Sequence, residues 1–239
     1  MPNEQHIASA FDRDLEAIQA HIMKMGGLVE SAILDAARSL EMRDEELAND
    51  VRNRDRAIDR LEVLINEQAA QVIALRAPAA SDLRTVLTVL KVSGNLERIG
   101  DYAKNIAKRN SVLVQMSQME GAPSDIRRMA QAVELMLKDA LDAYIMRDVN
   151  LAEDVRQRDA DVDQMYNSLF RQFLTFMMED PRNITACMHL HFIGKNIERM
   201  GDHVTSIADQ VIYLVTGDMP TDVRPKQDLT SFMANTKEN

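Results

Sequence analysis

The chain repeats itself, and this repetition limits the folds that it can adopt. Residues 35–59 align without a gap on residues 139–163, and 13 of the 25 aligned positions are identical. A second block, residues 95–107, recurs at residues 196–208. Unrelated segments would share about one or two residues, so the chain is a tandem duplication. We therefore expect two halves with the same fold.

The composition favours helices over strands. The 239 residues are 46% hydrophobic, which is enough to bury a sizeable core. Aromatic residues make up only 4%, tryptophan is absent, and there are eight glycines and six prolines. Strand-forming aromatic residues are thus scarce, and few residues would break a helix. The sequence predicts an all-α protein.

Apolar residues at helical spacing predict three long helices in each half. Asp44 and Asp148 lie in the repeated Met-Arg-Asp and are suited to cap the second helix of each half. We expect two three-helix bundles in tandem, residues 1–116 and 123–217, followed by a mobile tail, residues 218–239. The predicted helices are residues 7–42, 45–75, 83–114, 125–146, 150–178 and 184–215.

Charge and cysteine content restrict the partners and the compartment. The net charge of −10 argues against a nucleic-acid partner, because phosphate backbones select for clustered lysine and arginine. Cys187 is the only cysteine, so no intramolecular disulfide can form. The amino terminus carries acids and no apolar run, and no segment has the roughly 18 apolar residues of a membrane span. We expect a soluble intracellular protein without a membrane-inserted segment.

Four pairs of acids stand four residues apart, which places the two members of each pair on one helical face, about 6 Å apart. Like charges at this spacing destabilise a helix by a few tenths of a kcal/mol, so we expect a nearby positive charge to compensate. The pairs are Asp55 and Asp59, Glu97 and Asp101, Asp159 and Asp163, and Glu198 and Asp202.

The predicted hairpins bring these pairs together. In an antiparallel hairpin, residues equidistant from the turn lie at the same level, and the acids of the first half are centred on Pro78. Those of the second half are centred on the Asp180–Pro181 turn. Because Glu97 and Asp101 lie opposite the apolar stripe of their helix, we expect the acids to face solvent. Each hairpin should then gather four carboxylates at one level of the bundle surface.

Clusters of carboxylate oxygens without thiolates suit hard or borderline cations such as Mg, Ca, Mn or iron. The sequence therefore predicts a metal site at the acids of each half. The alternative is that these acids are solvated and neutralised by Arg52, Arg54 and Arg98 and by their repeats. Three histidines near the second site are either further ligands or ordinary surface and core residues. They are His189, His191 and His203.

Several motifs on this duplicated scaffold resemble one family. Residues 76–84 read Arg-Ala-Pro-Ala-Ala-Ser-Asp-Leu-Arg, and residues 177–180 read Met-Met-Glu-Asp. Residues 96–101 and 197–202 read Leu-Glu-Arg-Ile-Gly-Asp and Ile-Glu-Arg-Met-Gly-Asp. Together they resemble the PhoU family of phosphate-specific transport accessory proteins, over nearly the whole chain up to Gly217.

The resemblance implies a bacterial cytoplasmic regulator that keeps the phosphate-starvation response off when phosphate is plentiful. It implies docking on the ATPase subunit of the phosphate ABC transporter and on the sensor histidine kinase of the phosphate two-component system. The protein would then lie at the periphery of the inner membrane through these partners and form a homodimer. The family's acid pairs hold multinuclear iron or zinc clusters, and all four pairs are present here.

A regulatory adaptor without catalysis is therefore the expected function. The sequence has no phosphate-binding G-x-x-x-x-G-K-[ST] loop and no glycine-rich dinucleotide turn. The alternative is a carboxylate-bridged metalloenzyme, either an oxidase or a phosphatase. Ferritin-like di-iron sites use Glu-x-x-His inside a bundle, and this pattern occurs nowhere in the chain.

Overall fold

Six long helices make up the fold. The computed structural model describes residues 2–116, 119 and 121–221, and the side chains from Phe11 onward. A single 3₁₀ turn, Pro181–Asn183, precedes the last helix. The helices are α1 (Pro2–Met42), α2 (Glu45–Arg76), α3 (Ser81–Leu113), α4 (Ala122–Met146), α5 (Val149–Glu179) and α6 (Ile184–Thr216).

The repeated Met-Arg-Asp forms the same helix junction in both halves. Arg43 and Arg147 end their helices in the left-handed conformation, with φ of 54° and 53°. The Asp44 carboxylate then accepts a hydrogen bond from the backbone N–H of Leu47 at 2.9 Å. Asp148 accepts equivalent bonds at the start of α5. The predicted caps are confirmed, and each satisfies backbone donors that the first helical turn leaves unpaired.

The helices form two layers. Helices α2, α3, α6 and α5 lie side by side in that order, and α1 and α4 pack against each other and cover one face of this layer. Each half contributes one covering helix and one hairpin. Across the centre, contacts of Arg109 with His189 and of Asn95 with His203 show that α3 and α6 are antiparallel. The predicted all-α fold of two three-helix repeats is confirmed.

The hydrophobic core continues across both halves. Ile18 and Val29 of α1, Leu96 of α3 and Met200 of α6 belong to one cluster of fully buried residues. The buried Cys187 thiol contacts the thioether of Met119, in agreement with a core role. That each half is a separate domain, with boundaries at 116, 123 and 217, stays a prediction.

Helix α1 is continuous, and Gly26 and Gly27 do not interrupt it. The expected mobile tail begins with four irregular residues, 218–221, and its remainder lies outside the described residues. Within the described ranges, each helix is too short or too polar to cross a bilayer.

Candidate functional site

The acids of the first half meet where α2 crosses α3. A Cβ atom on Gly100 would lie 3.0 Å from Cδ1 of Ile58 and 3.8 Å from Oδ1 of Asp55. The lack of a side chain at Gly100 therefore lets α2 approach α3 closely and brings Asp55 against the α3 backbone. As a result Asp55 is buried, with 5% of its surface exposed.

Lys104 joins the acids of the two helices. Its ammonium nitrogen donates hydrogen bonds to Oδ2 of Asp55 at 2.6 Å and to Oδ1 of Asp101 at 2.7 Å. Burial lowers the pKa of Lys104, but the hydrogen bonds to Asp101 and Asp55 outweigh this effect and raise it well above its ordinary value. Lys104 therefore stays charged and acts as an internal counter-ion for two of the four carboxylates.

The other two carboxylates of the first half lack such compensation. Burial raises the pKa of Asp59, and the negative charge of Asp55 raises it further. Burial also raises the pKa of Glu97, with a second contribution from Asp101. Arg98 lies 3.7 Å from Glu97 and offsets only part of this effect. The first cluster thus carries more negative charge than its own cations neutralise.

The second cluster is more deeply buried. Asp159, Asp163 and Glu198 are each 5% exposed or less. A Cβ atom on Gly201 would lie 3.0 Å from Oδ1 of Asp159, so the α5–α6 crossing repeats the close approach seen at Gly100. The counter-ion differs, because Lys195 contacts Oε1 of Glu198 at 2.9 Å.

Aromatic and amide side chains separate the two clusters. Tyr102 and His203 follow Asp101 and Asp202, and their rings lie 5.7 Å apart across the α3–α6 contact. Nδ1 of His203 is 2.8 Å from Oδ1 of Asn95, within hydrogen-bond distance. Burial lowers the pKa of His203, which favours the neutral imidazole. His203 thus helps to hold α6 against α3.

The prediction that the acids face solvent is wrong for half of them. Asp55, Asp159, Asp163 and Glu198 are buried, and the other four are partly buried. The apolar stripe predicted the wrong exposure for these four acids because each hairpin helix packs against neighbouring helices on two sides. Sequence reasoning also missed Lys104 and Lys195 as counter-ions, although each lies three residues from an acid and therefore on its face.

The acids supply oxygen donors of the kind that hard and borderline cations bind. In the described part of the chain, no three histidine, cysteine, aspartate or glutamate side chains are placed so that they could hold one ion. In the first cluster Lys104 lies between Asp55 and Asp101. A cation that binds both carboxylates has to displace that ammonium group.

Other duplicated charges have a structural role. Arg54 pairs with Asp35 of α1 at 2.6 Å and with Asp50 at 3.0 Å. Arg158 pairs with Asp139 at 2.6 Å and with Asp154 at 3.0 Å in the second half. Arg54 and Arg158 therefore tie the covering helix of each half to its hairpin. Of the arginines expected to neutralise the acids, Arg98 lies 3.7 Å from Glu97.

The PhoU domain profile matches residues 22–109 and again residues 126–211, one match for each three-helix repeat. The chain belongs to the PhoU family. A "phosphate-specific transport system accessory protein PhoU homolog" of Rhizobium meliloti (strain 1021) is 43% identical over 230 residues, which cover 96% of this chain and 97% of the homologue.

Solved PhoU structures have the same fold. PhoU from Pseudomonas aeruginosa is 39% identical and aligns with a TM-score of 0.84 over 87% of this chain and 100% of its own. The phosphate transport system regulatory protein PhoU from Streptococcus pneumoniae is 28% identical and aligns with a TM-score of 0.82 over 89% and 100% of the two chains. The resemblance read from the motifs is confirmed.

Proposed function

We propose that this protein is a cytoplasmic negative regulator of the phosphate-starvation response and modulates phosphate uptake. It would couple the phosphate ABC transporter, through the ATPase subunit, to the sensor histidine kinase. The observation that supports this role most strongly is the match to accessory PhoU proteins along almost the entire length of both chains. A regulatory adaptor needs surfaces and no reaction centre, and in each cluster a lysine contacts at least one of the paired acids.

A deletion strain tests this role. Without the gene, a phosphate-starvation reporter should be active in phosphate-rich medium, because the kinase no longer receives the transporter's signal that phosphate is plentiful. The derepression should disappear when the kinase gene is also deleted. Normal repression in the single deletion would contradict the proposal, and so would tight, salt-resistant binding of the purified protein to promoter DNA.

We also propose that the protein is a homodimer and lies at the inner membrane only through its partners. Analytical ultracentrifugation of the purified protein should give twice the monomer mass. Cell fractionation should place it with membranes only in strains that contain the transporter or the kinase. A monomer at micromolar concentration, or membrane association in a strain lacking both partners, would contradict these statements.

We further propose that the two acid clusters bind metal, with iron or zinc favoured over Mg, Mn or Ca. The oxygen donors fit such cations in kind, and the raised pKa values of Asp59 and Glu97 reflect negative charge that a cation would neutralise. Purified Glu97→Ala/Asp101→Ala should retain less metal by mass spectrometry while keeping its far-UV helical signal. Unchanged metal content in this variant and in Glu198→Gln/Asp202→Asn would contradict the assignment.

A further inference from the structure

Arg43 and Arg147 occupy equivalent positions in the duplication but have different surroundings. Both end a covering helix with nearly the same left-handed φ, 54° and 53°, and each precedes a capping aspartate. Both arginines therefore adopt the left-handed conformation at the same point of the repeat. Arg43 is partly buried, whereas Arg147 is exposed.

The Arg43 side chain binds backbone carbonyl groups. Its Nη2 group donates hydrogen bonds to the carbonyl oxygens of Leu113 at 3.3 Å, of Val114, and of Met116 at 2.8 Å. These carbonyls belong to the last turn of α3 and to the segment that leads into α4. The end of a helix leaves such carbonyls without partners, so a guanidinium group is suited to bind them.

Arg147 has no such partners in the part of the chain that the structure describes. It forms no hydrogen bond or ion pair with any residue that the structure describes. The chain after α6 takes a different course, because Gly217 adopts a φ of 90° and Met219 contacts Gln210 on α6. The carbonyl-rich segment that engages Arg43 thus has no counterpart at Arg147 among the described residues.

A cavity marks the difference. A cavity of about 30 Å³ lies beside Arg43, and Met119 and Pro123 close it. We call it the Arg43 cavity, and the corresponding space beside Arg147 the Arg147 cavity. The Arg147 cavity has a volume of about 330 Å³ and opens between the amino-terminal part of α1 and the junction after α4. The equivalent lining residues of the two cavities are Leu40 and Tyr144, Arg43 and Arg147, Leu113 and Leu214, Ala186 and Thr85, and Leu190 and Val89.

Four side chains that can donate hydrogen bonds line the Arg147 cavity, those of Arg147, Tyr144, Gln19 and Thr85. The Thr85 hydroxyl already donates to the backbone carbonyl of Ser81 at 3.1 Å, and the Tyr144 side chain is 5% exposed. Burial raises the pKa of Tyr144 to about 12, so the phenol keeps its proton at physiological pH. The rim is acidic, because Asp12 and Glu16 of α1 lie on it and are exposed. Neutral and cationic donors beside two carboxylates suit backbone carbonyls better than a free anion.

We infer that the Arg147 cavity binds a peptide segment of a partner protein, in the way that the Arg43 cavity holds the chain's own α3–α4 connection. Carbonyl oxygens of the segment bind Arg147, an unbranched apolar side chain enters the cavity as Met119 does in the first half, and a lysine or arginine faces Asp12 and Glu16. The duplication supports a peptide as the occupant, since the equivalent Arg43 already binds backbone carbonyls in the other half.

The chain's own connection provides the probe. A fluorescein-labelled peptide with the sequence of residues 114–123, Val-Gln-Met-Ser-Gln-Met-Glu-Gly-Ala-Pro, should bind the full-length protein in fluorescence polarisation. The peptide carrying Glu120→Lys should bind more tightly, because it complements the acidic rim. Arg147→Asn should weaken binding on the order of tenfold, as expected for loss of charge-assisted hydrogen bonds. Asparagine tolerates the left-handed backbone, so this variant should fold.

Arg60→Asn is the matched control, because Arg60 is also exposed and lies on α2, which does not line the cavity. It should bind like the wild type. Equal affinity of Arg147→Asn and wild type, or the absence of peptide binding, overturns the inference. Displacement of the peptide by millimolar inorganic phosphate makes the cavity an anion site and also overturns it. If the peptide binds a chain truncated after Thr221 much more tightly than it binds the full-length protein, the inference is also overturned. The chain's own tail is then the occupant of the cavity.

The inference rests on the proposed adaptor role only in assuming that a partner exists. Peptide binding is measured with the purified protein, whereas the adaptor role is tested by derepression in cells. A protein that fails to bind the peptide but still represses the response leaves the adaptor role intact. One that binds the peptide but does not repress supports the inference and contradicts the role.

Discussion

The ammonium nitrogen of Lys104 lies 2.6 Å from Oδ2 of Asp55, and this contact places a positive charge between α2 and α3 at the level of the first acid cluster. Asp55 is buried and Lys104 is about one-third exposed. The pair therefore links the two helices of the hairpin and also occupies the position that a cation bound by Asp55 and Asp101 would need.

Loss of this lysine should destabilise the protein. Lys104→Met leaves the buried Asp55 without its counter-ion, and we expect the free energy of unfolding to fall by about 1 to 2 kcal/mol, discounted for the partial exposure of the lysine. Asp55→Asn in the same chain should recover most of this loss. Guanidinium titrations measure both effects, with the exposed Lys108→Met as the control. A loss that Asp55→Asn fails to recover would rule out the ion pair as its cause.

Replacing the equivalent glutamates Glu97 and Glu198 by neutral glutamine should change the stability of the protein differently. Glu97 is destabilised as an anion by burial and by Asp101, so Glu97→Gln should leave stability at pH 7 unchanged or slightly raised. Glu198 is buried beside Lys195, so Glu198→Gln should lower the free energy of unfolding by about 1 kcal/mol. Chemical denaturation measures both changes. If Glu97→Gln and Glu198→Gln change the free energy of unfolding equally, the different counter-ions of the two glutamates do not affect stability.

Three helical glycines provide a packing test. Gly94 has no atom within 4 Å of an added Cβ, so Gly94→Ala should stabilise the protein by about 0.5 to 1 kcal/mol through helix propensity. Gly201→Ala should not, because its Cβ would lie 3.0 Å from Oδ1 of the buried Asp159. Gly100→Ala meets Ile58 at the same distance and should also give no gain. Thermal unfolding distinguishes them, and an equal rise in Tm for all three would contradict the close approach.

Tyr144 should make the protein sensitive to alkali. The pKa of its phenol is raised to about 12 in the folded state by burial, from an ordinary value of 10.0. Below pH 10 both states keep the proton. Between pH 10 and 12 only the unfolded state loses it, so stability falls by up to about 2 to 3 kcal/mol as pH rises. Tyr144→Phe should show a smaller decline between pH 9 and 11 in guanidinium titrations. If Tyr144→Phe loses as much stability over this pH range as the wild type does, the raised pKa of Tyr144 is contradicted.

The sequence determined the local structure and the symmetry of the protein. Apolar spacing, the Met-Arg-Asp junction and the scarcity of glycine and proline specify the helices, since these signals act within a few residues of one another. The duplicated acids and their motifs also identified the family. The pairing of Asp55 with Asp101 across a hairpin followed from their equal distance to Pro78, because an antiparallel turn fixes the level of each residue.

Only the tertiary structure decided which acids are buried, which lysine neutralises them, and how the halves meet. Burial depends on every helix packed around a residue, so the stripe of α3 alone could not show that Asp55 lies under Gly100. Arg43 and Arg147 both lie in a Met-Arg-Asp and have nearly the same φ. They differ because the chain after α3 continues into α4, whereas residues 217–221 after α6 take another course. The contacts that distinguish Arg43 join residues about 70 positions apart.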